Sequence, residues 1–293
     1  MTTTSTPRTI LVTGTSSGFG KLTAQTLARA GNRVYASMRG IEGKNQAYAD
    51  ELTSWGLAED VSLEVIELDV TDAASIDTAV SHILEATGQI DVVVNNAGTG
   101  NVGVLEGYTI DQVRDIFETN AFGALQVDKA VLPSMREQGS GLLVHVSSST
   151  GRVIVPFVAP YSAAKMALEG FAEELSFELA GFGVESVIVE PGGYPTDAFA
   201  KLVGPGDTAV VEAYGEFGKQ PEQMFAAMGE QMSQPGGPNP QEIADAICHL
   251  VELPTGERPL RTVVGDMFTA GVEALNEQYV KSKQELLTSL GAA

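Results

Sequence analysis

Short apolar runs alternate along this chain with longer stretches whose apolar residues recur every three to four positions, the contrast that separates strands from amphipathic helices. Residues 8–13, 33–37 and 61–68 read as strands. Ile90-Asp91-Val92-Val93-Val94 is a fourth, of the nearly continuous apolar kind that a parallel sheet buries on both faces. Helical spacing fills the intervals: Leu22, Leu27 and Ala28 after the first strand, residues 45–55 after the second, and a third helix capped by Thr71 or Asp72 and stopped near Gly88. A long helical pattern over 109–135 precedes a fifth strand at 141–147; a helix starts at Pro160, and a sixth strand covers 184–190.

From 197 to 240 this regularity breaks. Gly204-Pro205-Gly206, Pro221 and Pro235-Gly236-Gly237-Pro238-Asn239-Pro240 punctuate a segment that still carries Phe199, Tyr214, Phe217, Met224 and Phe225. Too interrupted for a sheet and too apolar for a linker, it is expected to form an ordered flap of short helices over a pocket. A helix at 241–253, a short strand at 262–264 and a C-terminal helical region at 271–293 follow. The alternation predicts an α/β fold: one doubly wound parallel sheet of about seven strands flanked by helices, forming a single domain over 1–293 with residues 1–7 as a disordered tail.

In an open parallel sheet, ligands bind beyond the carboxyl ends of the strands. Gly14, Arg39, Asp69 and Asn96 all fall at such ends. The first strand runs into Gly14-Thr15-Ser16-Ser17-Gly18-Phe19-Gly20 and then a helix, the order in which glycines admit a pyrophosphate and helix N-terminal amides receive its charge. Near the end of the second strand, a site for unmodified ribose hydroxyls would carry an acid; here Met38 is followed by Arg39, which suits a 2′-phosphate, so NADP(H) is favoured over NAD(H).

The chemistry is expected around Pro160-Tyr161-Ser162-Ala163-Ala164-Lys165. Proline suits the start of a helix, and a four-residue spacing puts Tyr161 and Lys165 on one face. An ammonium and the positive end of a helix both favour the phenolate, so the pair can move a proton to or from an alcohol. Such a pair is common on helix surfaces, and its company decides its meaning. Ser147-Ser148-Ser149-Thr150-Gly151 at the end of the fifth strand offers hydroxyls for a substrate oxygen, with Val153 and Phe157 as apolar neighbours. Asn120, within the long helical segment, either bends the axis or holds a water.

Composition narrows the partners. Seventeen basic residues against 38 acidic ones give a formal charge of −21, which repels nucleic acid and anionic lipid. The start, Thr/Ser-rich without a basic flank or apolar core, and the lack of a long apolar run lead to the expectation of a cytoplasmic protein with no membrane partner. Cys248, the single cysteine, with His82, His145 and His249 has no metal-ligand spacing, so no metal is expected.

Together these motifs resemble the short-chain dehydrogenases/reductases of the Tyr-x-x-x-Lys type. The matching residues are Thr13-Gly14-x-x-x-Gly18-x-Gly20, Asp69, Asn95-Asn96-Ala97-Gly98, Asn120, Ser148, Tyr161, Lys165 and Pro191-Gly192-x-x-x-Thr196, in the family's order over about residues 8–196. The resemblance implies a Rossmann-like fold and a ketone/aldehyde–alcohol oxidoreductase in which Tyr161 is the general acid/base, Lys165 holds the nicotinamide ribose, Ser148 binds the substrate oxygen and Asn120 anchors a relay water. It implies that Gly14, Ser16, Ser17, Gly18, Phe19 and Gly20 hold the pyrophosphate, that Asp69 and Val70 hold the adenine edge and Asn96, Ala97 and Gly98 its ribose, and that Pro191, Gly192, Gly193 and Thr196 hold the nicotinamide amide. Ser17 stands where some NADP users carry a basic residue. Ser148, Thr150, Val153, Phe157, Tyr161, Tyr194 and Phe199 are the candidates for contact with a moderately bulky apolar substrate. A homodimer or homotetramer built on helices around 109–135 and 160–180 is implied as well. The rival readings are a non-catalytic NADP-binding redox sensor and a nucleotide-sugar epimerase or dehydratase.

Overall fold

A computed structural model describes residues 7–196 and 201–291. Seven parallel strands form one sheet in the order β3-β2-β1-β4-β5-β6-β7: β1 Thr9–Thr13, β2 Arg33–Met38, β3 Leu63–Glu67, β4 Val92–Asn95, β5 Gly141–Val146, β6 Val184–Pro191 and β7 Arg261–Val264. Strands β1, β4 and β5 are buried almost end to end, as the continuous apolar runs predict. Helices α1 (Gly18–Arg29), α2 (Gln46–Ala58) and α9 (Gln241–Glu252) pack Leu27, Leu52 and Ile247 onto one face; α3 (Ala73–Thr87), α5 (Gly123–Gln138) and α6 (Ala159–Glu178) pack Ile83, Val131 and Leu175 onto the other. Strand order reverses between β1 and β4, opening the crevice in which such sheets bind ligands.

Two sequence expectations are corrected. The helix expected over 109–135 is three pieces: α4 (Ile110–Phe117), a π-helical turn (Glu118–Phe122) and α5. A π turn frees a carbonyl from the α ladder, and the Asn120 side chain donates to that of Ile116 at 2.8 Å. Helix α6 starts at Ala159 rather than Pro160; the proline lies in the first turn, where its missing N–H still costs nothing. Of the two candidate caps, Asp72 is the one that caps α3, accepting from the Ala74 amide at 2.9 Å, and Gly88 ends that helix at φ 78°.

Residues 201–240 contain α7 (Thr208–Ala213), a 3₁₀ turn (Gly215–Lys219) and α8 (Gln220–Met232). They are pinned to the loop after β4 by a parallel bridge in which the Val203 amide donates to the Gly100 carbonyl at 3.0 Å and the Val102 amide to the Val203 carbonyl at 3.1 Å. Helix α10 (Val272–Leu290) is fastened by polar side chains: Asn276 donates to buried Glu190 at 2.6 Å, Lys283 pairs with Glu173 at 2.5 Å, and Tyr279 is covered by the Arg152 and Arg261 guanidinium groups. Among the described residues, no helix is long and apolar enough to cross a membrane.

Candidate active site

The crevice at the β1–β4 switch is a cleft of about 950 Å³. Its floor depends on close backbone approach. Gly14 has φ 71°, and a Cβ there would lie 2.7 Å from the Ala97 Cα; one on Gly20 would lie 2.3 Å from the Gly14 carbonyl oxygen. The turn is tied to the end of β4 by Thr13 Oγ1, which accepts from the Asn96 and Ala97 amides at 3.0 Å, and by Asn96 Nδ2, which donates to the Thr13 and Gly14 carbonyls at 2.8 and 3.1 Å. The Asn96 side chain is therefore used to hold the glycine turn. Ser17 provides no side-chain cap for α1, and the first-turn residues Gly18, Phe19 and Gly20, whose amides have no intrahelical acceptor, line the cleft.

Toward the outer end lie Arg39, half-exposed after β2, with Asp69 and Val70 after β3. Asp69 is fixed by the Thr71 amide at 3.0 Å and hydroxyl at 2.8 Å, and its other oxygen is 3.5 Å from the Arg39 guanidinium. Burial works against the Asp69 carboxylate, but the bonds from Thr71 and the charge of Arg39 prevail and hold its pKa below the ordinary value. Glu67 accepts from the Gly40 and Ile41 amides at 2.7 and 2.8 Å, fixing the loop that carries Arg39.

At the inner end the structure brings Ser148, Tyr161, Lys165 and Asn120 to the same cleft. Ser148 stands close enough to the Tyr161 phenol to favour its ionised form. Thr150, a candidate for substrate contact, lines the cleft and donates its hydroxyl to Ser148 Oγ at 3.1 Å, which orients it. Asn120 is buried with both amide atoms engaged by Thr99, and only a glycine at 98 leaves room between Asn120 Oδ1 and Lys165 Nζ. The electrostatics differ from the sequence expectation. Burial pushes the Tyr161 phenol above its ordinary pKa, opposed by the Ser148 hydroxyl. The Lys165 ammonium lies 5.7 Å over the tyrosine ring and donates to the Val146 carbonyl at 2.8 Å. Burial lowers Lys165 itself to about 8, with Glu169 opposing. For the phenol, desolvation thus outweighs the Ser148 hydroxyl.

The remaining candidates divide. Pro191, Gly192, Gly193 and Thr196 line the cleft, held against the loop after β7: a Cβ on Gly192 would lie 2.2 Å from the Met267 carbonyl oxygen. Tyr194 also borders it, but its ring packs edge-on against Phe19 at 5.5 Å and its hydroxyl turns away to Glu242 at 2.8 Å. Val153 is 46% exposed and Phe157 packs on Phe217 at 5.7 Å; Val155 and Val158 take their places in the wall. The reason is the irregular loop before α6, in which Phe157 adopts φ 71° and swings its ring outward, so no simple periodicity applies there. Of the flap aromatics, Phe225 lines the cleft with Leu202, Val203 and Met228, whereas Tyr214 and Phe217 lie on its outer side; Phe199 is outside the described residues. Sequence reading missed Asn101, whose Oδ1 accepts the Tyr161 amide at 2.8 Å, and Lys201, whose ammonium is 3.4 Å from Ser17 Oγ.

Residues 8–204 match the short chain dehydrogenase family. The chain is 33% identical over 262 residues to 3-ketodihydrosphingosine reductase of Bacteroides thetaiotaomicron, covering 89% of each, and 34% identical over 296 residues to human retinol dehydrogenase 8, covering 96% of this chain and 90% of that one. A crystal structure of a short-chain dehydrogenase from Streptomyces avermitilis superposes with a TM-score of 0.76 at 35% identity, covering 97% of this chain and 96% of the other. This chain belongs to the short-chain dehydrogenase family of oxidoreductases, which act on CH–OH groups.

Proposed function

We propose that the protein is an NADP(H)-dependent carbonyl reductase or secondary alcohol dehydrogenase acting on a moderately bulky apolar substrate. The observation that carries the reading is the meeting of Ser148, Tyr161 and Lys165 in the cleft that also holds the glycine turn. The donor set fits a dinucleotide: first-turn amides of α1 for the diphosphate, glycines whose absent Cβ atoms leave the backbone open, and Arg39 for a 2′-phosphate. When bound, the nicotinamide would supply or accept the hydride.

The chain's own residues handle the oxygen. With its pKa raised by burial, Tyr161 keeps its proton at neutral pH and can give it to a carbonyl oxygen, while Ser148, oriented by Thr150, donates a hydrogen bond where negative charge develops. Lys165 and Asn120 lie behind the tyrosine as the route of reprotonation. Val155, Val158, Leu202, Phe225 and Met228 make the substrate end apolar. That two relatives are named for a long-chain ketone and a retinoid alcohol agrees with a lipophilic substrate.

Tyr161→Phe should lower ketone reduction on the order of 1000-fold or more, because it removes both the proton donor and a hydrogen-bond donor, while NADPH binding, followed by its fluorescence, stays within about twofold. Reduction retained within tenfold would mean the proton comes from another group.

A further inference from the structure

We infer that Lys201, carried on the segment after β6, is a second cation for the adenosine 2′-phosphate of NADP(H), so that the phosphate itself latches the flap over the cofactor. The inference rests on the NADP(H) reading above and adds a residue and a coupling to it.

The field of this protein is the starting point. At a formal charge of −21, an incoming phosphomonoester dianion is repelled at long range and must be held by local cations. Arg39 alone is poorly placed to do so, since the Asp69 carboxylate is already 3.5 Å from it. Among the described residues lining the cleft, Asp69, Asp115 and Glu118 balance the charges of Arg39, Lys44 and Lys165, and Lys201 is the cation left over. Lys165 is committed to the Val146 carbonyl at the opposite end.

The position of Lys201 matches the need. Its ammonium is 3.4 Å from Ser17 Oγ, at the entry to α1, and 5.6 Å over the ring of Tyr48 on α2, so it spans the gap between the glycine turn and the element that follows the Arg39 loop. No acid is paired with it among the described residues. Two residues on, Val203 is bridged to Asn101, and Leu202 lines the cleft. A phosphate gripped by Lys201 would therefore pull on the strand segment that anchors the flap. NAD(H), which lacks the phosphate, would leave that grip unused.

The test compares dissociation constants of NADPH, NADH and the fragment 2′,5′-ADP for the full-length protein, Lys201→Gln, Lys201→Arg and Arg39→Ala, by ligand or intrinsic fluorescence. The expected result is that Lys201→Gln weakens NADPH and 2′,5′-ADP about tenfold and NADH less than twofold, with Lys201→Arg close to the parent. Hydrogen exchange over 201–232 should slow with NADPH more than with NADH, and that difference should vanish in Lys201→Gln. Unchanged NADPH affinity in Lys201→Gln, alongside a loss in Arg39→Ala, would overturn the role of Lys201 and leave the NADP(H) reading standing. Equal loss for NADPH and NADH would overturn it too, by moving the lysine to the diphosphate. If the parent protein binds NADH as tightly as NADPH, the NADP(H) reading itself falls and the inference with it.

Discussion

The Tyr161 amide is the third in helix α6 and has no intrahelical acceptor, and Val158 at the N-cap offers no side chain to it. Asn101 supplies that acceptor from the loop after β4, fully buried, and the same residue bridges to Val203 on the flap. One residue therefore links the Tyr161 backbone, through its side chain, to the wall of the cleft, through the backbone bridge. Asn101→Ala should cost about 1–2 kcal/mol of stability by leaving a buried donor unpaired, and should lower kcat about tenfold with little change in cofactor affinity, as expected when a reacting group is displaced slightly. Asn101→Asp, which keeps the acceptor, should recover most of the loss. Full activity in Asn101→Ala would show that Tyr161 is held by the helix alone. Nothing in the local sequence marks Asn101; its partner lies 60 positions away. Ser148, Tyr161 and Lys165, by contrast, are legible because a short loop and a single helix carry their spacing.

Between elements, β4, β5 and α5 meet at a buried polar cluster. Asp128 of α5 accepts from Asn95 Nδ2 at 2.6 Å and lies 3.8 Å from His145 of β5, whose Nε2 is 3.1 Å from Ser186 Oγ. Desolvation raises Asp128 from 3.8 to about 8, against the Asn95 hydrogen bond, and lowers His145 to about 3, reinforced by the charge of Lys165. Both groups are neutral at pH 7. Because the folded pKa of Asp128 is above its unfolded value, its contribution is fully present below about 3.8 and is lost as pH rises through about 8. The melting temperature should therefore fall by a few degrees between about pH 6.5 and pH 8, above the range in which neutral buried His145 adds a slope of the opposite sign, and Asp128→Asn, which carries no titrating proton, should flatten much of that slope. Glu190, raised to about 7 by burial and the nearby Glu169, contributes a slope of the same sign that remains in the variant. Parallel melting curves for parent and variant across this range would contradict the assignment. The π turn belongs to this scale as well: periodicity alone read one helix, because a single inserted residue per turn scarcely disturbs an apolar stripe, and the tertiary demand on Asn120 made it three pieces.

For the whole molecule, the outer faces of α4, the π turn and α6 expose Ile110, Phe122, Met166 and Phe177, with Phe182 just beyond α6. Phe122 also leans on Phe117 and Phe171, so the apolar surface is continuous across the helices. Such a patch on a protein this acidic suits a second copy of itself docked through helices, since apolar burial is there the attraction that charge cannot provide. Light scattering should give a mass that is an even multiple of 30.7 kDa, and the double variant Phe122→Glu/Phe177→Glu should shift it to one chain. A parent protein that runs as a single chain at micromolar concentration would refute this assembly.

The periods of apolar residues determined the order of strands and helices, and glycine spacing with Tyr161 and Lys165 determined which residues to look for at the ends of the strands, since these patterns are short-range and each is written within one element. Only the folded chain decided that burial raises the Tyr161 phenol, that Phe157 leaves the wall to Val155 and Val158, that Asn101 secures the helix of Tyr161, and that Lys201 reaches Ser17 from 184 positions away. Depth of burial and contacts between distant segments depend on how several elements pack at once, and no local pattern carries that information.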